Sequence, residues 1–582
     1  MRAASFTPTP EQRATICHEG PAFISACPGA GKTRVMVERA CRLFRDVPPG
    51  RGVAFLSFTK AAISELEARL RQRAVLPTPV YPSFIGTFDS FVWQFLIAPF
   101  GAAAPDVRPR LTPDIDQLGV TPFDGAQSLP LSCFDPSSGE IDHAAAKRTG
   151  FDPATKQDFH LRAYKTAAAT LRSRFRQQGQ LGFDEARALA LERLGDTALS
   201  ARLACALSGR FREVIVDEAQ DCNPDDLNII AWLRDAGLPV KIICDPYQSI
   251  YQFRGGVTDE LFAFRDQFDE RDRQKLSGNF RSTRTICQAI SRLRPPSGGA
   301  QPDEALGEYK DLPHVVHVLS YRGRAVPSSI GIRFSELVRA HGEDISACPV
   351  VAATRASCAA AVGKPAGGGG GATTLRLAEA TLNFHFAPRF NQMKAAMEAV
   401  HRILLEIQGA LSACSYHQYL QEHEIEPLSW RPQVISILRD LKFDPDRFTD
   451  ARAWHDHAKA LIARHVSLEP GATIGQKLRW NAGIEPVLSA SSTGEAAAHT
   501  IHSVKGMEFS AVCVVTTAKT LGGILDFLES GSPVETAEDA RELYVAASRA
   551  QKLLVFAVPG NQADRFCSHL GGHGAAVTLI GI

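Results

Sequence analysis

The chain is 582 residues long, 45% hydrophobic and 22% charged, with 64 Lys and Arg against 63 Asp and Glu and a formal net charge of +1. This is ordinary globular composition, and it excludes a mostly disordered chain, a collagen-like chain and a coiled-coil rod. The near-neutral balance also excludes a uniformly basic nucleic-acid coat protein, but not an enzyme whose positive groove is local. At roughly 150 residues per domain, the length predicts three to five domains. Thirteen cysteines are scattered without any Cys-x-x-Cys pair. They read as reduced thiols of a cytoplasmic protein without zinc or an iron–sulfur cluster. Met1 to Glu11 lacks an apolar segment of signal-peptide type, and no run approaches the roughly 18–20 apolar residues of a membrane helix, so no membrane partner is expected.

Along the chain, Phe23-Ile24-Ser25 is a short apolar run that stops at a glycine-bearing loop, and Arg34 to Phe44 follows with helical periodicity. Val53 to Leu56 reads as a second buried strand and Ala61 to Arg73 as a helix. Val214-Ile215-Val216, Lys241-Ile242-Ile243, Ala511 to Val515 and Leu553 to Val558 add further strands. Strands alternating with helices predict an α/β fold with parallel sheets. Two stretches interrupt the pattern. Residues 101–199 open with Pro105, Pro109, Pro113 and Pro122 and then turn helical and basic, from Lys156 to Arg202. Residues 365–485 open with Gly367-Gly368-Gly369-Gly370-Gly371, a linker composition, and continue with Met393, Met397, Val400, Ile403 and Leu404 at helical spacing. The organisation predicted is a first α/β domain at 1–100 and 200–280 with a helical insertion at 101–199. A second α/β domain spans 281–364 and 486–582, with a Gly-rich linker and helical insertion at 365–485.

Ala26-Cys27-Pro28-Gly29-Ala30-Gly31-Lys32-Thr33 fits a phosphate-binding loop, with Ala26 where the usual pattern has glycine. Gly29 and Gly31 let backbone N–H groups curl around phosphate oxygens, and the following helix, beginning near Arg34, presents its positive end. Lys32 would reach the β- and γ-phosphates and the Thr33 hydroxyl would hold Mg²⁺. The run Val214 to Val216 ends in Asp217-Glu218. Asp217 is placed to bind Mg²⁺ and Glu218 to accept a proton from an attacking water. A strand ending in Asp-Glu is common surface chemistry alone; beside a phosphate loop it signals a nucleoside triphosphatase.

Asp217-Glu218-Ala219-Gln220-Asp221 and Asp245-Pro246-Tyr247-Gln248-Ser249-Ile250-Tyr251-Gln252-Phe253-Arg254-Gly255 resemble two motifs of the superfamily 1 helicases of the UvrD/Rep/PcrA family, with Cys244 in place of Gly and Phe253 in place of Trp. Other segments fall in the family's order. Thr9-Pro10-Glu11-Gln12 resembles its adenine-reading motif. Ser57-Phe58-Thr59-Lys60 and Gly86-Thr87-Phe88-Asp89 resemble motifs Ia and Ib, Asp89 standing where the family usually has His. Asn279-Phe280-Arg281 resembles motif IV, with Phe280 for Tyr. His502-Ser503-Val504-Lys505-Gly506-Met507-Glu508 and Tyr544-Val545-Ala546-Ala547-Ser548-Arg549 resemble motifs V and VI.

The resemblance implies two RecA-like domains with ATP between them, Mg²⁺ as cofactor, and 3′→5′ movement on single-stranded or tailed duplex DNA. It assigns Gln12 to the adenine, Gln248 to sensing the γ-phosphate, Arg281 and Arg549 to the γ-phosphate as arginine fingers, and Glu508 to the ribose. It places Phe58, Phe88, Tyr251 and Phe253 along a strand track where bases stack, with Thr59, Lys60, Thr87, Arg254 and His502 beside them. Phe58 and Phe88 read equally well as core residues under a strand end. Only about 32 residues follow Ala550, and no β-hairpin pin of the kind found after motif VI in strongly unwinding members is evident. Two readings therefore stand: a helicase or translocase of repair or phage defence, and a DNA-stimulated regulatory ATPase that controls a separate nuclease chain. Compact UvrD-like subunits of anti-phage systems, such as the helicase partner in Gabija, are similar to the second.

Overall fold

A computed structural model describes residues 7–582 apart from 46–49, 77, 103–106, 113–114, 251–257, 297–300, 364–371, 387–389, 412–415, 417–418, 421–422, 424, 469–470 and 490–495. Tyr251, Phe253 and Arg254 of the expected DNA track, with Pro105, Pro113 and the Gly367–Gly371 run, lie outside the described residues.

Six strands build the first sheet: β1 (Ala22–Ala26), β2 (Gly52–Ser57), β3 (Phe84–Thr87), β4 (Phe211–Asp217), β5 (Val240–Cys244) and β6 (Arg273–Leu276). They run in the order β6-β1-β5-β4-β2-β3 and every pairing is parallel. Such a sheet is covered on both faces, so its strands are apolar throughout rather than alternating. β2 and β5 are accordingly buried at every position. Phe23 packs on one face with Phe211 and Val216. Its neighbour Ile24 packs on the other with Val35, Phe55 and Leu66. Helices α1 (Pro10–Cys17), α2 (Lys32–Arg45) and α3 (Lys60–Gln72) belong to this unit.

The second sheet comprises β7 (Val316–Tyr321), β8 (Val350–Ala352), β9 (Ala498–Thr500), β10 (Phe509–Val515), β11 (Ala550–Pro559) and β12 (Val577–Gly581), ordered β9-β8-β10-β11-β7-β12 and again wholly parallel. Helix α4 (Ala537–Ala547) packs on it through Leu543, Val545 and Ala546. The α/β class with two parallel RecA-like sheets is the observed architecture.

Helices also fill much of the two interrupting stretches. The first contains Asp158–Gln177 and Phe183–Gly195, and Thr197–Arg210 leads from its end to β4. Before them lie two-residue strands and single turns around a small core of Ile115, Phe134, Phe151 and Tyr164. The second contains Ala372–Phe386, Phe390–Gln408, Pro427–Asp440 and Ala451–Ala463. Val400, Ile403 and Leu404 bury there against Trp430 and Trp454 in a core of their own.

The two sheets present opposite edges to one another. The phosphate loop follows the C-terminal end of β1, Asp217 ends β4, and Asp245 follows β5. Glu508 and Arg549 instead immediately precede the N-terminal ends of β10 and β11. After β11 the chain passes through a single turn, Gly560–Gln562, into a helix at Ala563–Gly571 and then into β12. Among the described residues no β-hairpin intervenes between residues 550 and 582.

Candidate functional site

The site is built on backbone that only its own residues tolerate. Gly29 and Gly31 have φ of +69° and +75°, the left-handed region where an L side chain is strained. Gly29 is doubly constrained. A Cβ there would lie 2.6 Å from Arg281 Cβ and 2.8 Å from Asn279 Oδ1, so the motif IV segment closes directly over the loop. The Phe280 N–H donates to the Gly29 carbonyl at 2.9 Å, and Asn279 Oδ1 accepts from the N–H groups of Arg281 (2.8 Å) and Ser282 (2.9 Å). Glu218 also sits at positive φ, +56°, a strain of a kind that concentrates at functional sites.

Charge is concentrated beneath the loop. Lys32 Nζ lies 3.2 Å from Glu218 Oε2. Burial acts to neutralise the lysine, but Glu218 and Asp217 outweigh it and hold the ammonium charged. Burial likewise disfavours the Glu218 carboxylate, yet Lys32 and Lys505 hold it well below the usual range. Asp217 goes the other way. Burial and the neighbouring Glu218 charge push its carboxyl up. Its Oδ1 is buried without a hydrogen-bond partner among the described residues. A buried acceptor with surplus negative charge around it suits a cation, and Mg²⁺ held by Asp217 and the half-buried Thr33 fits that donor set.

Groups from the second sheet meet this arrangement at hydrogen-bond distance. Arg549 Nη2 donates to Gln248 Oε1 at 2.7 Å, and Gln248 Nε2 donates to Asp245 Oδ2 at 2.8 Å. Lys505 Nζ and Asp221 Oδ1 form a buried ion pair at 2.5 Å. Burial raises the Asp221 carboxyl to about 6 even against the pull of Lys505. Arg281 donates to the Ser548 carbonyl at 2.7 Å and to Glu508 Oε1 at 2.6 Å, while Gln551 holds the other Glu508 oxygen at 3.2 Å. Burial opposes ionisation of Glu508, but Arg281 keeps it below the usual carboxylate range. Arg549 is fully enclosed, and burial together with the facing Arg281 lowers its proton affinity.

Gln12 is committed locally. Its Oε1 accepts from the Thr9 N–H at 3.1 Å and its Nε2 donates to the Ala30 carbonyl at 3.0 Å, tying α1 to the phosphate loop. The signal was in the sequence: Thr9 and Gln12 are spaced as a capping box, and both of its bonds are made.

On the expected strand track, Thr59 caps α3 and Thr87 caps the single turn Phe88–Phe91, accepting from Ala62 N and Ser90 N at 3.2 Å each. Lys60 is exposed and Phe58 half-buried. For Phe88, which the sequence leaves open between a stacking platform and a core residue, the structure shows a buried ring. Its side chain is 0% exposed, and its ring is stacked on Phe58 with centroids 5.3 Å apart, so the aromatic face a base would use is already covered. His502 Nε2 lies 3.1 Å from Glu542 Oε1. Burial and the acidic neighbours Asp539 and Glu538 raise that carboxyl to about 7. Asp89 is paired at 2.5 Å with Arg187 from the first helical stretch, which also binds Asp226 at 2.7 Å. No local pattern announced Arg187 as the partner of Asp89 and Asp226, because these residues are remote in sequence.

Residues 8–269 match the UvrD/REP helicase N-terminal domain and residues 489–559 the UvrD-like helicase C-terminal domain, together more than half of the chain. Among curated proteins, the chain is similar to the ATP-dependent DNA helicase PcrA of Staphylococcus epidermidis, with 25% identity over 344 residues, 55% of this chain and 45% of that relative. It is 24% identical over 297 residues to the putative ATP-dependent DNA helicase YjcD of Bacillus subtilis, covering 48% of this chain and 37% of that protein. PcrA of Staphylococcus aureus matches at 24% over 292 residues, 49% of this chain and 39% of the relative. In each case the match spans less than half the length of the curated relative.

Proposed function

We propose, from the premise that the chain belongs to the UvrD-like superfamily 1 helicase family, that it is an ATP-dependent DNA helicase or translocase moving 3′→5′ on single-stranded DNA. The observation that carries this reading is the convergence, in one buried cleft, of Lys32 paired with Glu218 on the first sheet's side and Arg549 from the second, which donates to the Gln248 carbonyl. Phosphoryl transfer is catalysed mainly by positioning and by charge placed on the transferring group. Gly29 and Gly31 give the phosphates a backbone cradle. Lys32, now held by Glu218, turns to the phosphates when they arrive. Release from Lys32 raises the basicity of Glu218, which then takes the proton of the attacking water. Thr33 and Asp217 would hold Mg²⁺, which when bound offsets phosphate charge. Arg281 and Arg549 bring positive charge from the opposite sheet, so their arrival depends on cleft closure, and closure becomes the mechanical step.

In this reading Phe58, Thr59, Lys60, Thr87 and His502 contact the strand, and the resemblance assigns Tyr251, Phe253 and Arg254 to it as well. The direct turn from β11 into the helix Ala563–Gly571 favours a second reading, an ATPase that senses DNA and controls a separate nuclease chain without strong unwinding of its own. A cytoplasmic setting in repair or phage defence goes with either, and among the described residues no helix is long and apolar enough to cross a membrane. The test is ATP hydrolysis with and without single-stranded DNA, followed by strand displacement from a 3′-tailed duplex. Lys32→Ala and Glu218→Gln should each abolish hydrolysis while leaving single-strand binding largely intact. Hydrolysis retained in either variant refutes the site. Stimulation with displacement supports the helicase; stimulation without displacement supports the sensor.

A further inference from the structure

Behind the arginine finger lies a buried chain of hydrogen bonds that the reaction scheme above does not use. Asp303 forms an ion pair with Arg294, both at least nine-tenths buried. Arg294 donates to Tyr544 Oη from Nε at 3.3 Å and from Nη2 at 3.2 Å. Tyr544 Oη donates in turn to Asp245 Oδ2 at 3.3 Å. The same Asp245 oxygen accepts from Gln248 Nε2, and Gln248 Oε1 accepts from Arg549. The Arg294 guanidinium also lies over the rings of Tyr247 and Tyr544, 5.6 and 5.5 Å from their centroids. Arg294, Asp303, Tyr544 and Arg549 come from the second sheet's half of the chain, whereas Asp245 and Gln248 follow β5.

The chain has a direction, and the direction decides what Gln248 offers. A side-chain amide is nearly symmetric in shape but opposite in polarity at its two ends. Asp245, when ionised, only accepts. It is fixed in place by the Tyr247 N–H on Oδ1, at 3.1 Å, and by Tyr544 and Gln248 on Oδ2. Gln248 must therefore turn its NH₂ toward Asp245 and its carbonyl toward Arg549. With the amide reversed, an NH₂ would face a guanidinium in a buried cleft, and the finger would lose its rest. Tyr544 and Arg549 sit on and just beyond α4, so whatever fixes Tyr544 against Asp245 also fixes the base of the finger.

We propose that Arg294 and Asp303 are positioning residues for ATP hydrolysis: through Tyr544 and Asp245 they set the orientation of the Gln248 amide and the approach of Arg549. The inference rests on the assignment of Arg549 and Gln248 to the γ-phosphate. It adds two residues outside all the recognised motifs.

The experiment is steady-state ATP hydrolysis by the full chain with saturating single-stranded DNA, with thermal melting on each variant. Lys32→Ala first establishes that the hydrolysis belongs to this site. Tyr544→Phe deletes one hydroxyl while keeping the ring, and Arg294→Met keeps length while removing all the donors. Both should lower kcat by about 10-fold or more while KM for ATP stays within about twofold, because misplacing a group by an ångström acts on the reaction rather than on ground-state binding. Arg294→Lys should restore only part of kcat, since an ammonium cannot serve Asp303 and Tyr544 with a fork of donors. In an Arg549→Lys background, Tyr544→Phe should cost little more, because it acts through the finger already altered. Wild-type kcat in Tyr544→Phe overturns the proposal, as does an equal loss in both backgrounds. If Arg294→Met fails to fold, Tyr544→Phe alone decides. A wild-type chain whose hydrolysis is insensitive to Lys32→Ala overturns the functional assignment, and the relay falls with it.

Discussion

Gly29→Ala and Gly31→Ala form a matched pair that separates loop strain from cleft closure. Both glycines are at positive φ, +69° and +75°, so alanine at either carries the left-handed penalty of about 1–2 kcal/mol. Their surroundings differ. At Gly31 the nearest atom to a new Cβ is Gln12 Nε2 at 3.3 Å, the end of a side chain that can yield a few tenths of an ångström. At Gly29 it is Arg281 Cβ at 2.6 Å, with Arg281 N at 3.1 Å, and these atoms cannot rotate aside. Carbon atoms pack at about 3.5–4.0 Å, so the motif IV segment must retreat by roughly an ångström. An ångström of misplacement can lower a rate by about 100-fold. We expect the two variants to lose similar thermal stability, and Gly29→Ala alone to lose about two orders of magnitude in kcat at saturating ATP. Melting curves, nucleotide titration and saturated hydrolysis rates measure the three quantities separately. A kcat loss in Gly31→Ala equal to or larger than that in Gly29→Ala would refute the reasoning, because it would place the effect in the loop and not in the closing segment.

Phe88→Ala should destabilise the chain by about 3–5 kcal/mol, the usual range for emptying a buried phenyl site, and this shows as a lower midpoint in denaturant. Phe58→Ala, half-buried, should cost less stability and weaken single-strand binding more; the reverse order would restore Phe88 to the track. Lys505→Met strands the buried Asp221 carboxylate, and breaking such a pair costs about 3–5 kcal/mol, so the melting transition should fall or split, with Asp221→Asn partly restoring it. Burial and the nearby Asp184 raise the Asp116 carboxyl to about 7, above its unfolded value. Its native state therefore binds the extra proton between about pH 4 and 7. Its contribution to stability is full below the unfolded pKa and lost as pH rises through 7. Asp116→Asn should flatten that fall in a melting series over the same range.

Where function constrains the backbone, the sequence was easy to read. Gly29, Gly31 and Lys32 lie after an apolar strand because a phosphate loop needs left-handed backbone and a following helix, and both conditions leave a local trace. Val214–Val216 and Ala511–Val515 were legible for a different reason: a parallel sheet buried on both faces demands unbroken apolar runs. β7 was not singled out, because His317 and Ser320 interrupt its run, and His317 is buried only through tertiary packing. Phe88 could not be decided in advance. A phenyl group at a strand end has the same local pattern whether a base or Phe58 covers it, and the packed structure alone distinguishes them. In the relay from Asp303 to Arg549, the members Asp245, Gln248, Tyr544 and Arg549 lie in motifs, but the links between them, and the members Arg294 and Asp303, left no local pattern. Tyr544 meets Asp245 at a separation of 299 in sequence, and such pairs are specified by the meeting of two sheets.

That meeting has a consistent charge logic. Lys32 is balanced by Glu218, Lys505 by Asp221, and Arg281 by Glu508. Arg549 is the exception among these cations: it rests on the neutral Gln248 carbonyl, the Ser548 hydroxyl and the Val545 carbonyl, with no carboxylate at ion-pair distance among the described residues. A buried guanidinium supported only by neutral acceptors is held at a cost, and an arriving anion relieves it. Asp217 is the complementary exception, a buried carboxyl with an orphaned oxygen. One unmatched positive and one unmatched negative position therefore face the same cleft, the first on the closing sheet and the second beside the phosphate loop. A metal–nucleotide substrate answers both at once. Arg549→Gln should consequently do more than slow hydrolysis: by removing a buried unpaired charge it should raise the melting temperature of the nucleotide-free chain while diminishing the further rise that ATP produces. A variant that melts below the wild type without nucleotide, and gains as much from ATP, would show that Arg549 is already satisfied in the closed cleft and that the charge argument is wrong.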